Sequence, residues 1–229
     1  MGTTITGISS MATRALLADL AATYQAQHGV AVLMTSVGGV DAAKRIQAGE
    51  AFDVVVLASD AIDRLISSGQ VVAGSRVDLV HSGVAVAVPA GAAQPDISSE
   101  DAVGKTVLAA RKIGYSTGPS GVQLAKLFAR WGIADAVQAR TVQAPPGVPV
   151  GALVARGEVD LGFQQLSELL HVPDIKIVGP LPPAIQINTT FSAGLCVVSS
   201  QAAVVRALLV FLTSPASAAA KTKQGMDPA

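Results

Sequence analysis

Residues 3–59 read TTITGISSMATRALLADLAATYQAQHGVAVLMTSVGGVDAAKRIQAGEAFDVVVLAS, and in them apolar segments of strand length alternate with segments of helical period. TTITGI, VAVLMTS and DVVVLAS read as strands, with helices from about Ser10 to Gln27 and from Val40 to Gln47 between them. In the first helix Leu16, Leu17, Leu20 and Tyr24 share one face while Arg14, Asp19 and Gln25 lie elsewhere. A β-α-β-α-β order of this kind predicts a parallel sheet covered by helices.

Working outward, a short helix holds Ile62, Leu65 and Ile66, and GVAVAVPAG reads as a strand ended by a Pro-Gly turn that crosses into a second lobe. There TVLAAR is expected as a strand leading through KIGYSTGPSG into a helix from about Val122 to Trp131. Strand ARTVQA, a helix from Val148 to Arg156, strand VDLGFQ and a helix around Leu166 to Leu170 follow. QINTTFSAGLCVVSS then returns to the first lobe, where a helix from Gln201 to Leu212 turns Val204, Val205, Leu208 and Leu212 inward. The expectation is a two-lobed α/β protein, each lobe a mostly parallel sheet covered by helices, with a ligand cleft between them. Residues 1–82 plus 187–229 form lobe 1 and 83–186 form lobe 2, with hinge strands near 82–89 and 186–198.

Sixteen basic residues balance sixteen acidic ones and aromatic residues are only 3%, which excludes the electrostatic footprint and stacking surface of a nucleic-acid binder. No run approaches the ~20 apolar residues of a membrane span. The start lacks the pattern of an export signal, so the chain as given reads as cytoplasmic, or as periplasmic if a signal has been trimmed. The single cysteine, Cys196, sits among apolar neighbours and reads as a buried strand residue. His28, His81 and His171 are isolated and no metal-ligand spacing exists, so neither a metal nor a cofactor is expected. A monomer is the expectation for a protein that opens and closes on a small ligand.

Ligands of open α/β sheets collect at the carboxyl ends of strands. Four polar turns occupy such ends: GISSM with Ser9, Ser10 and Met11; SVGG with Ser36, Val37, Gly38 and Gly39; LAS with Ser59; and GYSTGPSG with Tyr115, Ser116, Ser120 and Gly121. Hydroxyls and unpaired backbone N–H groups at helix starts suit an anion without a full cation. Each serine is as readily an N-cap doing structural work; the recurrence at four strand ends favours a binding role. In GFQQLSELL, Gln164, Gln165 and Glu168 stand just after a strand and are candidates to face the ligand, the alternative being a polar helix start with Ser167 exposed. Arg14, Arg111 and Lys112 are the nearest cations, each equally readable as a solvated surface residue.

At these turns the chain resembles the molybdate-binding proteins of transport systems, through SSMATR, SVGG and EAFDVVVLAS, and again through GEVDLGF and LLVFLTSPASAAAKTKQGMDP near the end. The resemblance covers nearly the whole chain and implies a periplasmic-binding-protein type II fold. It implies oxyanion contacts from Ser10 and Ser36 and from backbone amides near Ser120 and Val148. The pattern departs at Phe163, Gln164 and Gln165, where that family has a tyrosine, and in the longer loop GYSTGPSG, which argues against molybdate itself. Together SSMATR, GYSTGPSG, GVPVGALVARGEVDLGFQQLSELL and GPLPPAIQ resemble a divergent subgroup that includes aconitate isomerase. That likeness implies isomerisation of a small unsaturated polycarboxylate by an allylic proton shift, with Tyr115 and Glu168 as acid/base candidates. Two other readings stay open. One is a substrate-binding protein that delivers a carboxylate or oxyanion to an ABC-transporter permease; the other is a ligand-sensing domain.

Overall fold

The computed structural model describes residues 2–145 and 147–229. They form two compact units, one from the residues up to Ser82 together with Thr189–Ala229, the other from Gly83–Asn188.

The first unit begins with β1 (Thr4–Ser10), a single 3-10 turn at Met11–Thr13, and α1 (Arg14–His28). Then come β2 (Ala31–Val37), α2 (Gly39–Gln47), β3 (Val54–Ala58), α3 (Ser59–Ser67) and the first half of β4 (Val77–Pro89). β1 is central, paired in parallel with β2 from Thr4↔Ala31 to Ser10↔Val37 and with β3 from Gly7↔Val54 to Ser9↔Val56. β1 and β3 are buried on both faces, as a helix-covered parallel sheet requires, while the edge strand β2 is only partly buried and leaves Leu33 exposed. Ile5, Val54 and Val56 pack with Leu16, Leu17, Leu20 and Tyr24 of α1, while Ile8, Val55 and Leu57 pack with Ala42, Ile46, Ile62 and Leu65 from α2 and α3. α1 ends where Gly29 takes φ 68° and gives its N–H to the Gln25 carbonyl, a conformation that glycine adopts without Cβ strain.

The second unit holds the rest of β4, then α4 (Glu100–Ala109), β5 (Ile113–Tyr115), α5 (Pro119–Arg130), α6 (Ala134–Gln138) and β6 (Thr141–Gln143). It continues with α7 (Val150–Ala155), β7 (Leu161–Gln165), α8 (Leu166–Leu169) and β8 (Ile175–Pro180). β5 pairs in parallel with β6 and β7, and β4 extends the sheet by antiparallel pairing with β7 and β8. The segment TVLAAR, expected as a strand, lies mostly in α4. Ser99 caps that helix by accepting the Ala102 N–H at 3.2 Å, Glu100 and Asp101 complement its N-terminal dipole, and Val103, Val107 and Ala110 are buried. A period of three to four therefore overrides the β-rich look of TVL, and the strand is Ile113–Tyr115 further on. The short edge strand β8 and helix α6 are elements that the sequence pattern did not announce.

The chain returns through β9 (Asn188–Leu195), α9 (Ala202–Thr213), α10 (Ala218–Lys223) and β10 (Asp227–Pro228). β9 runs antiparallel to β3 from Val54↔Leu195 to Ala58↔Phe191. α9 buries Val205, Leu208, Leu209, Phe211 and Leu212, with Val204 at the margin of the same core. Cys196, just past β9, is buried, and burial pushes its thiol up to about 12, so it is inert.

One polar clamp ties this unit's first and last segments. The Asp53 carboxylate accepts from the Thr6 N–H at 2.8 Å, the Thr6 hydroxyl at 3.0 Å and the Ser199 hydroxyl at 2.6 Å. Burial alone would raise its pKa, but these bonds, with Gln201, outweigh burial and hold it below the ordinary value. A depressed carboxylate contributes stability above its unfolded pKa and loses it as pH falls through the folded one. Asp53→Ala is therefore expected to cost about 2–3 kcal/mol at pH 7, with the gap to wild type narrowing below about pH 4, as urea denaturation at pH 7 and pH 3 would measure.

Candidate functional site

In the first unit the parallel register brings three strand ends to one edge. Ser9 stands opposite Ser36, and their hydroxyls lie 2.9 Å apart. Ser9 is fully buried and lies within β1 instead of opening a helix. Its oxygen also lies 3.3 Å from the Ser10 carbonyl. If Ser9 donates to Ser36, the Ser36 proton is free for an anion. Ser10 caps the 3-10 turn, accepting from the Ala12 N–H at 3.4 Å, while the Thr13 hydroxyl donates to the Ser10 carbonyl at 3.1 Å. The Ala12 N–H thus orients the Ser10 hydroxyl while Thr13 holds the Ser10 backbone carbonyl, and Thr13 is a supporting residue that sequence reading passed over.

A Cβ placed on Gly39 would stand 3.6 Å from the Ser10 oxygen, so the first turn of α2 lies beside that hydroxyl. Neither α2, entered from Val37 and Gly38, nor α3, which opens at Ser59, has a side chain capping its first N–H groups. Those amides carry the positive end of the helix dipole and suit an anion. Asp41 and Asp60 sit in the two first turns and are solvent-facing or partly so. Met11 and Val37 are half-buried in the same turns.

In the second unit Tyr115 ends β5, in register with Gln143 of β6 and Phe163 of β7. Ser116 accepts from the Gly118 N–H at 3.3 Å and lies 3.3 Å from the Ser120 hydroxyl. A Cβ on Gly121 would stand 1.8 Å from the Ser116 carbonyl oxygen, so the closure of this loop onto α5 itself requires glycine. Pro119 has no N–H, and Gly121 and Val122 give theirs to the Gly118 carbonyl, which leaves the Ser120 amide as the first-turn donor without that bond. The Val148 N–H goes to the Pro145 carbonyl at 3.0 Å, so its own turn already uses it. Tyr115 also borders an open groove of about 430 Å³ with Gln143, Val122, Ala125, Lys126 and Ala129.

At the end of β7, Gln164 and Gln165 are buried, and the Gln164 amide donates to the Glu168 carboxylate at 2.8 Å. Burial of that carboxyl pushes its pKa up to about 7, against the smaller lowering effect of the Gln164 bond. Ser167 is buried, not exposed as a polar helix start would have it, and its hydroxyl has no hydrogen-bond partner among the described residues. Tyr115, the last residue of β5, and Glu168, just past β7, thus stand at the carboxyl ends of adjacent parallel strands. Arg14, Arg111 and Lys112 are exposed, and the last two anchor their turn by giving backbone N–H groups to Asp160 at 2.9 and 2.6 Å. No group of His, Cys, Asp and Glu among the described residues could hold a metal, and no single described helix is long and apolar enough to cross a membrane. What these turns offer is hydroxyls, amides and one carboxyl that titrates near neutrality.

The family model of bacterial extracellular solute-binding proteins matches residues 5–227, and the chain belongs to that family. It is 40% identical over 232 residues, 99% of this chain and 88% of the relative, to the aconitate isomerase of a Pseudomonas species. Among solved structures, the Azotobacter vinelandii periplasmic molybdate-binding protein matches with a TM-score of 0.81 at 22% identity, covering 97% of this chain and 98% of that one. The tungstate ABC transporter structure from Geobacter sulfurreducens matches with a TM-score of 0.76 at 14% identity, covering 96% and 98%. The fold is that of the type II periplasmic binding proteins.

The raised Glu168 pKa carries a stability consequence. The folded protein holds this proton up to about pH 7, against an ordinary value of 4.5, so stability falls as pH rises between the two and levels off above. Glu168→Gln removes this loss. Its stability relative to wild type should increase by up to about 3 kcal/mol between pH 4 and pH 9, read from denaturant midpoints.

Proposed function

We propose, for this member of a solute-binding family, that the chain is an isomerase interconverting cis- and trans-aconitate. The observation that carries this reading is the 40% identity over 99% of the chain to a protein named aconitate isomerase. The chemistry of the turns supports it. Three carboxylates need several oriented donors, and serine hydroxyls and helix-start amides are donors of that kind.

The reaction moves one double bond. A base takes a proton from the methylene carbon beside the alkene, those electrons form the new C=C toward the central carbon, and the old π pair takes a proton at the far carbon. Substrate and product have one formula, so a single residue that accepts and returns a proton closes the cycle. Glu168 fits that task, since a carboxyl titrating at about 7 is present in both forms at neutral pH. Tyr115 is assigned to hydrogen-bond the substrate carboxylate that gathers charge as the proton leaves. No cofactor enters this scheme. We further propose a cytoplasmic monomer.

A second reading is favoured by the family description and by the molybdate and tungstate proteins of like fold: an exported receptor that binds a carboxylate or oxyanion and passes it to an ABC-transporter permease. Proton NMR of cis- or trans-aconitate with purified protein in deuterated buffer separates the two. Interconversion that scales with protein is the expected result, and deuterium entering the methylene position measures how far the transferred proton exchanges with solvent. Glu168→Gln should lower kcat by about 10²–10⁴-fold and Tyr115→Phe by at least roughly tenfold. Unchanged aconitate together with a raised melting temperature in aconitate or molybdate gives the receptor reading instead. Full turnover in both variants removes the roles assigned to these residues.

A further inference from the structure

Gln164 was expected to face the ligand, and its surroundings say otherwise. It is the penultimate residue of β7 and is only 2% exposed. Its side-chain oxygen accepts the backbone N–H of Gly151 at 3.2 Å, and its side-chain nitrogen donates to Glu168 at 2.8 Å. A backbone N–H is always a donor, so this contact settles which end of the amide is oxygen and turns the NH2 toward Glu168. Gly151 lies in the first turn of α7, where its N–H has no partner within the helix. A Cβ at Gly151 would come within 3.0 Å of Val172 and 3.2 Å of Leu169, so α7 meets the α8 region at a spacing that only glycine fits comfortably. Gly151, Gln164 and Glu168 form one chain of bonds linking α7, β7 and α8.

We infer that Gln164 is a positioning residue that acts through Glu168, fixing the direction and the proton affinity of its carboxyl, and that it is not a ligand contact. The catalytic meaning of this rests on the isomerase reading; the local claim does not. Of the elements packed on α8, α7 and β7 have no titratable side chain, and β4, which packs Ala85 and Ala87 with Leu169, carries Asp78 and His81 only in its first half, before Ser82. His171 and Asp174 follow in the next turn and Lys176 lies on β8, yet burial and Gln164 alone account for the displaced titration of Glu168.

Two variants test it. Gln164→Met removes the donor. Gln164→Glu keeps the shape and an acceptor for Gly151 but replaces the donor by a second carboxyl, and it remains available if the methionine variant does not fold. The Glu168 carboxyl is followed by carbon NMR in protein labelled at the glutamate side-chain carboxyls, its signal identified by its loss in Glu168→Gln. In both variants the midpoint should move up by about one unit or more, with the coupled pair of Gln164→Glu read as macroscopic steps. The acid limb of the turnover profile should move with it, and kcat should fall roughly tenfold with KM within about twofold of wild type. A Glu168 midpoint unchanged in both variants overturns the inference. So does a raised KM with kcat and pH profile intact, which marks a ligand contact. If wild type turns over no aconitate, the isomerase reading falls while the NMR titration still decides the role of Gln164.

Discussion

Everything at the candidate site of the first unit depends on the parallel, in-register pairing of β1 with β2 and β3. Because residues in a strand alternate between faces, a slip of one residue would carry Ser9 away from Ser36 and put Ile5 and Ile8 on the wrong cores. The two buried faces specify that register hydrophobically, and the Asp53 clamp on Thr6 and Ser199 ties it to the end of the chain. Polar turns then follow at strand ends, where the backbone must leave the sheet and the next helix presents its unpaired amides.

The second unit repeats this plan around β5 and adds a group that the first lacks. A serine or an amide can hold an anion but cannot take a proton from carbon. Burial makes the proton affinity of the Glu168 carboxyl match neutral conditions, and the bond from Gln164 keeps it from rising further, which is what its proposed role in proton transfer requires. A scaffold that binds oxyanions with neutral donors needs only one such desolvated carboxyl to become a site for proton transfer. The aconitate isomerase relative and the molybdate-binding protein of like fold illustrate how far one scaffold can stretch.

Much of the fold was legible because both sheet faces leave a strong record: VVVL in β3 and the Leu16, Leu17, Leu20, Tyr24 face of α1 have few alternatives. TVLAAR misled because three β-prone residues sit within a helix whose deciding signal, the Ser99 cap, lies seven residues upstream of Thr106. At the site, the serine-rich turns could be seen, but their proton routing could not. Ser9 and Ser36 are far apart in sequence, and only the register makes them partners. Gly121 was visible as a site for close approach, though not that the approaching atom is the Ser116 carbonyl. Gln164 looked like a ligand group because its amide is polar and follows a strand; its two bonds, to Gly151 and Glu168, come from a helix pairing that no local pattern encodes.

The second unit is one continuous segment, Gly83–Asn188, set inside a first unit whose strand β9 and helix α9 come later in the chain. During synthesis the ribosome therefore delivers β1, β2 and β3 without the antiparallel neighbour of β3, and leaves Val54 and Val56 without Phe191, Leu208 and Leu212. All of the inserted unit emerges before that debt is settled. The usual order of vectorial folding, N-terminal part first, is inverted: the middle of the chain can finish while the beginning waits for the end. A nascent chain from which Gly83–Asn188 has emerged but β9 and α9 have not would thus leave the β3 edge and the apolar face of Val54 and Val56 uncovered.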